Sequence, residues 1–83
     1  MPLLSEVKIR ASRPREKSYE VWDDRGLFML VTPTGARLWR FKYRIDGKER
    51  LLALGAYPDV PLKGAREKRD EARTLVADGI PRG

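Results

Sequence analysis

The chain of 83 residues contains neither cysteine nor histidine. Without cysteine it can form no disulfide, no thiolate metal site and no thiol nucleophile. Without histidine it lacks the commonest zinc ligand and the commonest general base. No apolar run approaches the length of about 20 residues that spans a bilayer, and the N-terminus has no signal-peptide character. The sequence therefore predicts a cytoplasmic protein with no membrane partner, no metal and no cofactor.

Motifs that carry catalysis are missing as well. Tyr19, Tyr43 and Tyr57 have no histidine to accompany them, and no serine lies in a recognisable nucleophile motif. No glycine-rich loop has the spacing of a phosphate-binding or dinucleotide-binding site. An independent enzyme is therefore the least supported function for this chain.

Positive charge is abundant and unevenly distributed. The net charge is +6, and the hydrophobic fraction of 41% is enough for one small folded domain. Residues 1–17 carry five basic and two acidic side chains, and residues 37–50 carry six and two. The net charge is −2 over residues 18–36 and +1 over residues 51–83. Such a localised excess is typical of a surface that binds a polyanion, although a basic surface can also serve solubility alone.

The segment from Arg37 to Ile45 alternates strictly between apolar and basic residues. Successive side chains of a strand point to opposite faces of a sheet. One face therefore carries Trp39, Phe41, Tyr43 and Ile45, and the other carries Leu38, Arg40, Lys42 and Arg44. Like charges in a row repel one another, so the pattern favours an anionic partner lying across the basic face.

The remaining elements follow from turn signals and from a change of period. Ser5 is a candidate N-cap for a short helical turn, and Asp46-Gly47 is a strong two-residue hairpin signal. Strand character is found at four segments, residues 18–22, 27–32, 37–45 and 49–54. After Pro61 the period becomes helical, with Gly79 placed as a C-cap.

These elements predict an α+β fold, a three- to four-stranded antiparallel sheet with a C-terminal amphipathic helix packed on one face. The predicted apolar stripe of the helix is interrupted by Arg69. We expect its solvated side to carry the pairs Lys63–Glu67 and Arg66–Asp70. A single domain is expected over residues 1–83, with a helical turn and basic connector over 1–17, the sheet over 18–55 and the helix over 61–79.

The uncovered face of the sheet is the candidate site. Arg40, Lys42 and Arg44 would be its central contacts, because a β-ribbon or small sheet fits the major groove of B-DNA. The flanking candidates are basic or polar residues at the ends of the hairpins and in the connector, namely Thr34, Arg37, Lys48, Arg50, Arg13 and Arg15. The alternative is that the charges only protect an open sheet from aggregation.

Two further interpretations concern the aromatic residues and the connector. Trp39, Phe41 and Tyr43 are expected in the core, together with Trp22 and Phe28. Exposed stacking platforms for single-stranded RNA would instead require the cations to be buried under the helix. The basic connector is either a flexible arm that follows DNA or an ordinary solvated linker.

The order of several motifs resembles a known family. They are found at residues 4–10 (LSEVKIR), 26–35 (GLFMLVTPTG), 38–44 (LWRFKYR), 54–60 (LGAYPDV), 65–73 (AREKRDEAR) and 78–80 (DGI). This pattern is similar to the N-terminal arm-type DNA-binding domain of phage and genomic-island tyrosine recombinases (prophage integrases). Pro61, where the family commonly has serine, and Gly64 depart from the pattern and are expected to weaken the first helical turn.

The resemblance implies a function and partners. It implies sequence-specific binding to double-stranded DNA at arm-type sites during integration and excision. It also implies core-binding and catalytic domains downstream in the same integrase, and other integrase protomers as further partners. The alternative from a different class is a protein-interaction module that docks protomers or the catalytic domain.

Overall fold

The computed structural model describes residues 3–77 and contains one sheet and two helices. The elements are α1 (Glu6–Ala11), β1 (Tyr19–Trp22), β2 (Leu27–Val31), β3 (Arg37–Ile45), β4 (Lys48–Tyr57) and α2 (Leu62–Ala77). The strands are antiparallel and lie in the order β1-β2-β3-β4. The predicted α+β class is confirmed. The predicted helix end at residue 79, with Gly79 as its cap, lies outside the described residues.

The core lies between one face of the sheet and both helices. On β3, Trp39 and Phe41 are buried on this face, as their alternation with the cations predicts. Ile9 of α1 and Ala65 of α2 are fully buried in the same cluster. Within residues 3–77 the opposite face of the sheet carries no helix. None of the helices in this part of the chain is long and apolar enough to cross a membrane.

Strand β4 is longer than the sequence predicts. It was expected to end at Leu54, but it continues to Tyr57. Trp39 pairs with Gly55 while Arg40 pairs with Ala53, so Leu54 is an extra residue in a β-bulge. Gly55 adopts φ +120°, and a Cβ there would lie 2.6 Å from Val60 Cγ2. The glycine therefore bends the strand rather than ending it.

The N-terminal helix and the connector are anchored to the domain. The Ser5 hydroxyl accepts a hydrogen bond from the Lys8 N–H at 3.2 Å, which confirms the predicted N-cap. In the connector, the Arg13 carbonyl accepts a 2.6 Å hydrogen bond from the Tyr19 hydroxyl, and the Arg15 guanidinium lies 4.1 Å from the Tyr19 ring centre. The connector therefore lies along the sheet instead of extending as an arm.

Helix α2 buries a regular stripe that includes an arginine. Positions 62, 65, 69, 72 and 76 follow the helical period, and Arg69 is only 6% exposed. The helical spacing of apolar residues in the sequence predicts this stripe at Leu62, Ala65, Ala72, Leu75 and Val76. Leu75 is instead 48% exposed, because it lies about 100° around the helix from its neighbour at 76. The first turn is formed despite Pro61 and Gly64, since the Ala65 N–H donates to the Pro61 carbonyl at 2.9 Å.

Arg69 is satisfied by an ionic cluster around Asp23, in the turn after β1. Asp23 is 1% exposed. Its Oδ1 lies 2.9 Å from Arg66 Nη2, and its Oδ2 lies 3.2 Å from Arg69 Nη1. The Leu4 N–H also donates to Asp23 Oδ1, at 2.9 Å. The predicted surface pair Arg66–Asp70 is therefore wrong, because Arg66 turns inward to a carboxylate 43 residues away in sequence.

The charges of this cluster set the protonation of Asp23. Burial by itself would raise the pKa of the carboxyl group. Hydrogen bonds from Arg66 and from the Leu4 N–H, with the charges of Arg66 and Arg69, outweigh burial and hold the pKa below its ordinary value of 3.8. Asp23 is thus ionised at neutral pH and joins the N-terminal segment, the β1–β2 turn and α2.

Candidate nucleic-acid interface

The helix-free face of the sheet, here called the open face, consists of rows of side chains set by the strand register. The first row is apolar and contains Leu30, Leu38 and Ala56, with Glu20 at its β1 end. The second row contains Trp22, Phe28, Arg40 and Ala53. The third pairs Lys42 with Leu51, and the fourth pairs Arg44 with Glu49. Each of the second, third and fourth rows therefore carries one cation, and the fourth row also carries an acid.

The three central cations share the open face, as predicted. Within residues 3–77, neither Arg40 nor Arg44 forms an ion pair. Lys42 is held from both sides, because its Nζ lies 5.2 Å from the Trp22 ring centre and 3.7 Å from Glu49 Oε1. Arg40 and Arg44 thus present positive charge that the fold does not neutralise.

Of the two aromatic residues on this face that were predicted in the core, Phe28 is buried as predicted and Trp22 is not. Phe28 is buried, but it lies on the open face under Trp22, with 4.5 Å between the ring centres. Trp22 itself is 37% exposed, so its assignment to the core is wrong. The reason is the β1–β2 register, which pairs Trp22 with Phe28 on the side away from the helices.

Lys48 and Arg50 were predicted as flanking contacts of the open face, but they lie on the other face of the sheet. They pair with Ile45 and Tyr43, which share the parity of the core residues of β3. Because β2 begins opposite Phe41, residues 43–50 form a two-stranded ribbon that extends beyond the rest of the sheet. Arg44 lies on one face of this ribbon, and Lys48 and Arg50 lie on the reverse face.

Sequence reasoning missed Leu51 and Glu49 as members of the open face. The signal was present in the two-residue turn at Asp46-Gly47, which places residues 45 and 48 opposite each other. Counting back from that pair puts Leu51 opposite Lys42 and Glu49 opposite Arg44. The cationic face therefore also contains one acid and one exposed leucine.

Arg37 and Thr34 lie at the opposite end of β3. Arg37 is seven residues from Arg44, about 23 Å along the strand. It pairs with Val31 on the helix side, and its Nη2 donates to the Ser12 carbonyl at 3.0 Å. The Thr34 hydroxyl lies 3.0 Å from that of Thr32 within the β2–β3 turn. Neither residue belongs to the open face.

Arg13 and Arg15 lie in the connector, where they line a groove of about 510 Å³ with Lys8 and Tyr19. Both arginines are exposed. The groove lies between α1 and β1, so these cations form a second basic surface. The structure therefore divides the predicted contacts among the open face, the reverse face of the ribbon and the end of the sheet near the connector.

Comparison with known proteins identifies the family. The sequence profile described as "Arm DNA-binding domain" matches residues 4–82. The integrase of Shigella phage Sf6 is 40% identical over 78 residues, which cover 94% of this chain and 20% of that protein. Prophage integrase IntZ of Escherichia coli K12 is 43% identical over 79 residues, covering 93% of the chain and 20% of the relative.

A third relative gives the same result. The integrase of Enterobacteria phage P4 is 42% identical over 79 residues, covering 93% of the chain and 18% of that protein. The chain thus spans about a fifth of the length of the curated relatives it matches. It belongs to the family of arm DNA-binding domains found in phage and prophage integrases, and it is a DNA-binding domain rather than a catalytic one.

Proposed function

We propose that this chain binds duplex DNA sequence-specifically, at arm-type sites, through the open face of its sheet. One observation carries the proposal: Arg40 and Arg44 share a helix-free face and form no ion pair within residues 3–77. Unneutralised cations on one sheet face attract phosphate and can also donate to guanine edges in the major groove. Membership of the arm DNA-binding family supports duplex DNA as the partner.

The β3–β4 ribbon suits the width of the groove. The major groove of B-DNA is about 12 Å wide and admits a two-stranded ribbon. With the open face of the ribbon turned toward the base edges, Arg44 would face the floor of the groove, and Lys48 and Arg50 on the reverse face would reach only the phosphates at its rim. Arg37 and Thr34 lie at the opposite end of β3 and Arg13 and Arg15 lie in the connector, so we assign these residues to the flanking DNA backbone.

The relatives described above are integrases, which supports a role in an integrase. We propose that the chain is the N-terminal module of a site-specific tyrosine recombinase that acts in DNA integration and excision. Its further partners would be the core-binding and catalytic domains of that recombinase and other protomers on the same DNA. The expected cytoplasmic location is part of this proposal, since the partner is genomic and phage DNA.

A selection from a random pool of duplex DNA at about 150 mM salt tests the proposal, because non-specific binding is weakened at that ionic strength. Enrichment of a motif is the expected result. The double variant Arg40→Ala/Arg44→Ala should fail to enrich it. The double variant Lys63→Ala/Lys68→Ala removes the same charge from exposed positions of α2 and should enrich the motif normally.

Two outcomes would contradict the proposal. Recovery of DNA without enrichment would reduce the function to electrostatic anchoring. No recovery at all would favour the alternative, a module that docks protomers or the catalytic domain. One observation favours that alternative: β4 is an edge strand that pairs only with β3 within the described residues, so its outer edge can accept another strand.

A further inference from the structure

Leu51 is the most exposed large apolar side chain of the open face, at 58%. It lies on β4 directly opposite Lys42. Arg40 and Arg44 are its diagonal neighbours on β3, at about 7–8 Å between Cα atoms. The other leucines of this face, Leu30 and Leu38, are half-buried in the row farthest from the ribbon.

The Leu51 side chain takes no part in the hydrophobic core. It points away from both helices. An exposed leucine on a long edge strand promotes aggregation, whereas a charged residue there would prevent it. An aliphatic group among three cations and the acid Glu49 therefore points to a partner that accepts both apolar and charged contacts.

We propose that Leu51 contacts the 5-methyl group of a thymine and gives the domain a preference for T·A at one position of its site. This inference rests on the proposed function, since it requires the open face to lie in the major groove. In the major groove, the 5-methyl group of thymine is the aliphatic group on the base edges. This methyl group helps to distinguish a T·A pair from the other base pairs. The surrounding cations bring the groove close enough for Leu51 to reach it.

The charges around Leu51 argue against a protein pocket as its partner. A protein pocket that received Leu51 would also have to bury Lys42 and its two arginine neighbours, which is unfavourable without matching carboxylates. DNA offers phosphates to the cations and a methyl group to the leucine in the same groove. Leu51 would then set specificity, while the arginines supply affinity.

Uracil substitution tests the proposal. Duplexes enriched in the random-pool selection are prepared with each thymine replaced in turn by deoxyuridine, which lacks only the methyl group. The wild-type domain should lose about fourfold in affinity at one position, the value of one methyl group removed from water. The variant Leu51→Ala should bind the thymine duplex more weakly and show no further loss with uracil at that position.

The variant Leu75→Ala is the matched control, because it truncates an exposed leucine of α2, away from the open face. It should keep the full uracil effect. The inference is overturned if the motif lacks thymine, if no uracil substitution weakens wild-type binding, or if Leu51→Ala keeps the effect. If the random-pool selection still enriches a motif, any of these results would leave the proposed function intact. Failure to enrich a motif would contradict both.

Discussion

Two arginines of α2 and two arginines of β3 differ in what surrounds them. Arg66 and Arg69 both bind the buried carboxylate of Asp23. Arg40 and Arg44 lie on the open face and form no ion pair within residues 3–77. The net charge counts all four residues equally. Only the fold shows that the first two cations serve stability, while the second two remain available to a partner.

Arg66 and Arg69 should therefore affect the free energy of unfolding, whereas Arg40 and Arg44 should affect the free energy of DNA binding. Removing one member of a buried ion pair is strongly destabilising, because the remaining charge stays buried without a partner. Cations on an exposed sheet face repel one another and contribute little or nothing to stability. Their effect should be seen in DNA affinity instead. Substitutions on the two sides of the sheet should separate these two quantities.

The largest expected effect comes from Asp23→Asn. Asparagine keeps an oxygen for the Leu4 N–H but removes the charge that compensates Arg66 and Arg69. We expect the free energy of unfolding, measured in urea at pH 7, to fall by about 3–5 kcal/mol. The control Asp59→Asn removes the same charge at an exposed position and should change it by less than about 0.5 kcal/mol. Equal losses would show that the cluster is not a stabilising unit.

Lowering the pH should gradually remove the stability that the ionised Asp23 provides. The pKa of Asp23 is lower in the folded than in the unfolded state, so the unfolded chain binds more protons as pH falls. The stabilisation is complete above the unfolded value of about 4 and is lost as pH falls through the lower folded pKa. Urea unfolding between pH 6 and 2 should show a smaller decrease for Asp23→Asn than for wild type. Parallel curves would contradict the prediction.

Local patterns were enough to predict much of this structure. The alternation of residues 37–45 correctly separated Trp39 and Phe41 from the basic row, and Ser5 was correctly identified as an N-cap. These features depend on neighbours within a few residues in sequence. The β-bulge at Leu54 and the Asp23 cluster were not predicted, because each depends on contacts that form only after distant segments meet.

The candidate site was predicted less completely than the fold. The alternation within β3 placed Arg40, Lys42 and Arg44 on one face. The pairing across the Asp46-Gly47 turn was not used to assign the residues of β4 to their faces. As a result Lys48 and Arg50 were assigned to the wrong face, and Leu51 was overlooked. The same alternation also places Arg37 on the face of Trp39 and Phe41, but the hydrogen bond from its guanidinium to the Ser12 carbonyl could not be predicted, because the two residues are 25 positions apart in sequence.

The double variant Arg40→Ala/Arg44→Ala should separate binding from stability. We expect duplex affinity at about 150 mM salt to fall by 1–3 kcal/mol per arginine. The slope of log K against log salt should become shallower by about 0.9 for each phosphate that the variant no longer neutralises. The free energy of unfolding should change by less than about 0.5 kcal/mol per site. An equal loss of affinity in Lys63→Ala/Lys68→Ala would show that binding depends on net charge alone.

The smallest expected effect concerns Glu49, the acid on the open face that forms an ion pair with Lys42. The Lys42–Glu49 pair spans 3.7 Å between partly exposed side chains, so Glu49→Gln should change the free energy of unfolding by less than about 0.5 kcal/mol. Removing the acid should raise duplex affinity about threefold at low salt, because Lys42 becomes free for phosphate and a repulsive charge is removed. The control Glu71→Gln makes the same change on an exposed position of α2 and should have less effect. A loss of affinity confined to one sequence would instead show that the carboxylate reads a cytosine amine, since glutamate accepts from cytosine N4 in the major groove.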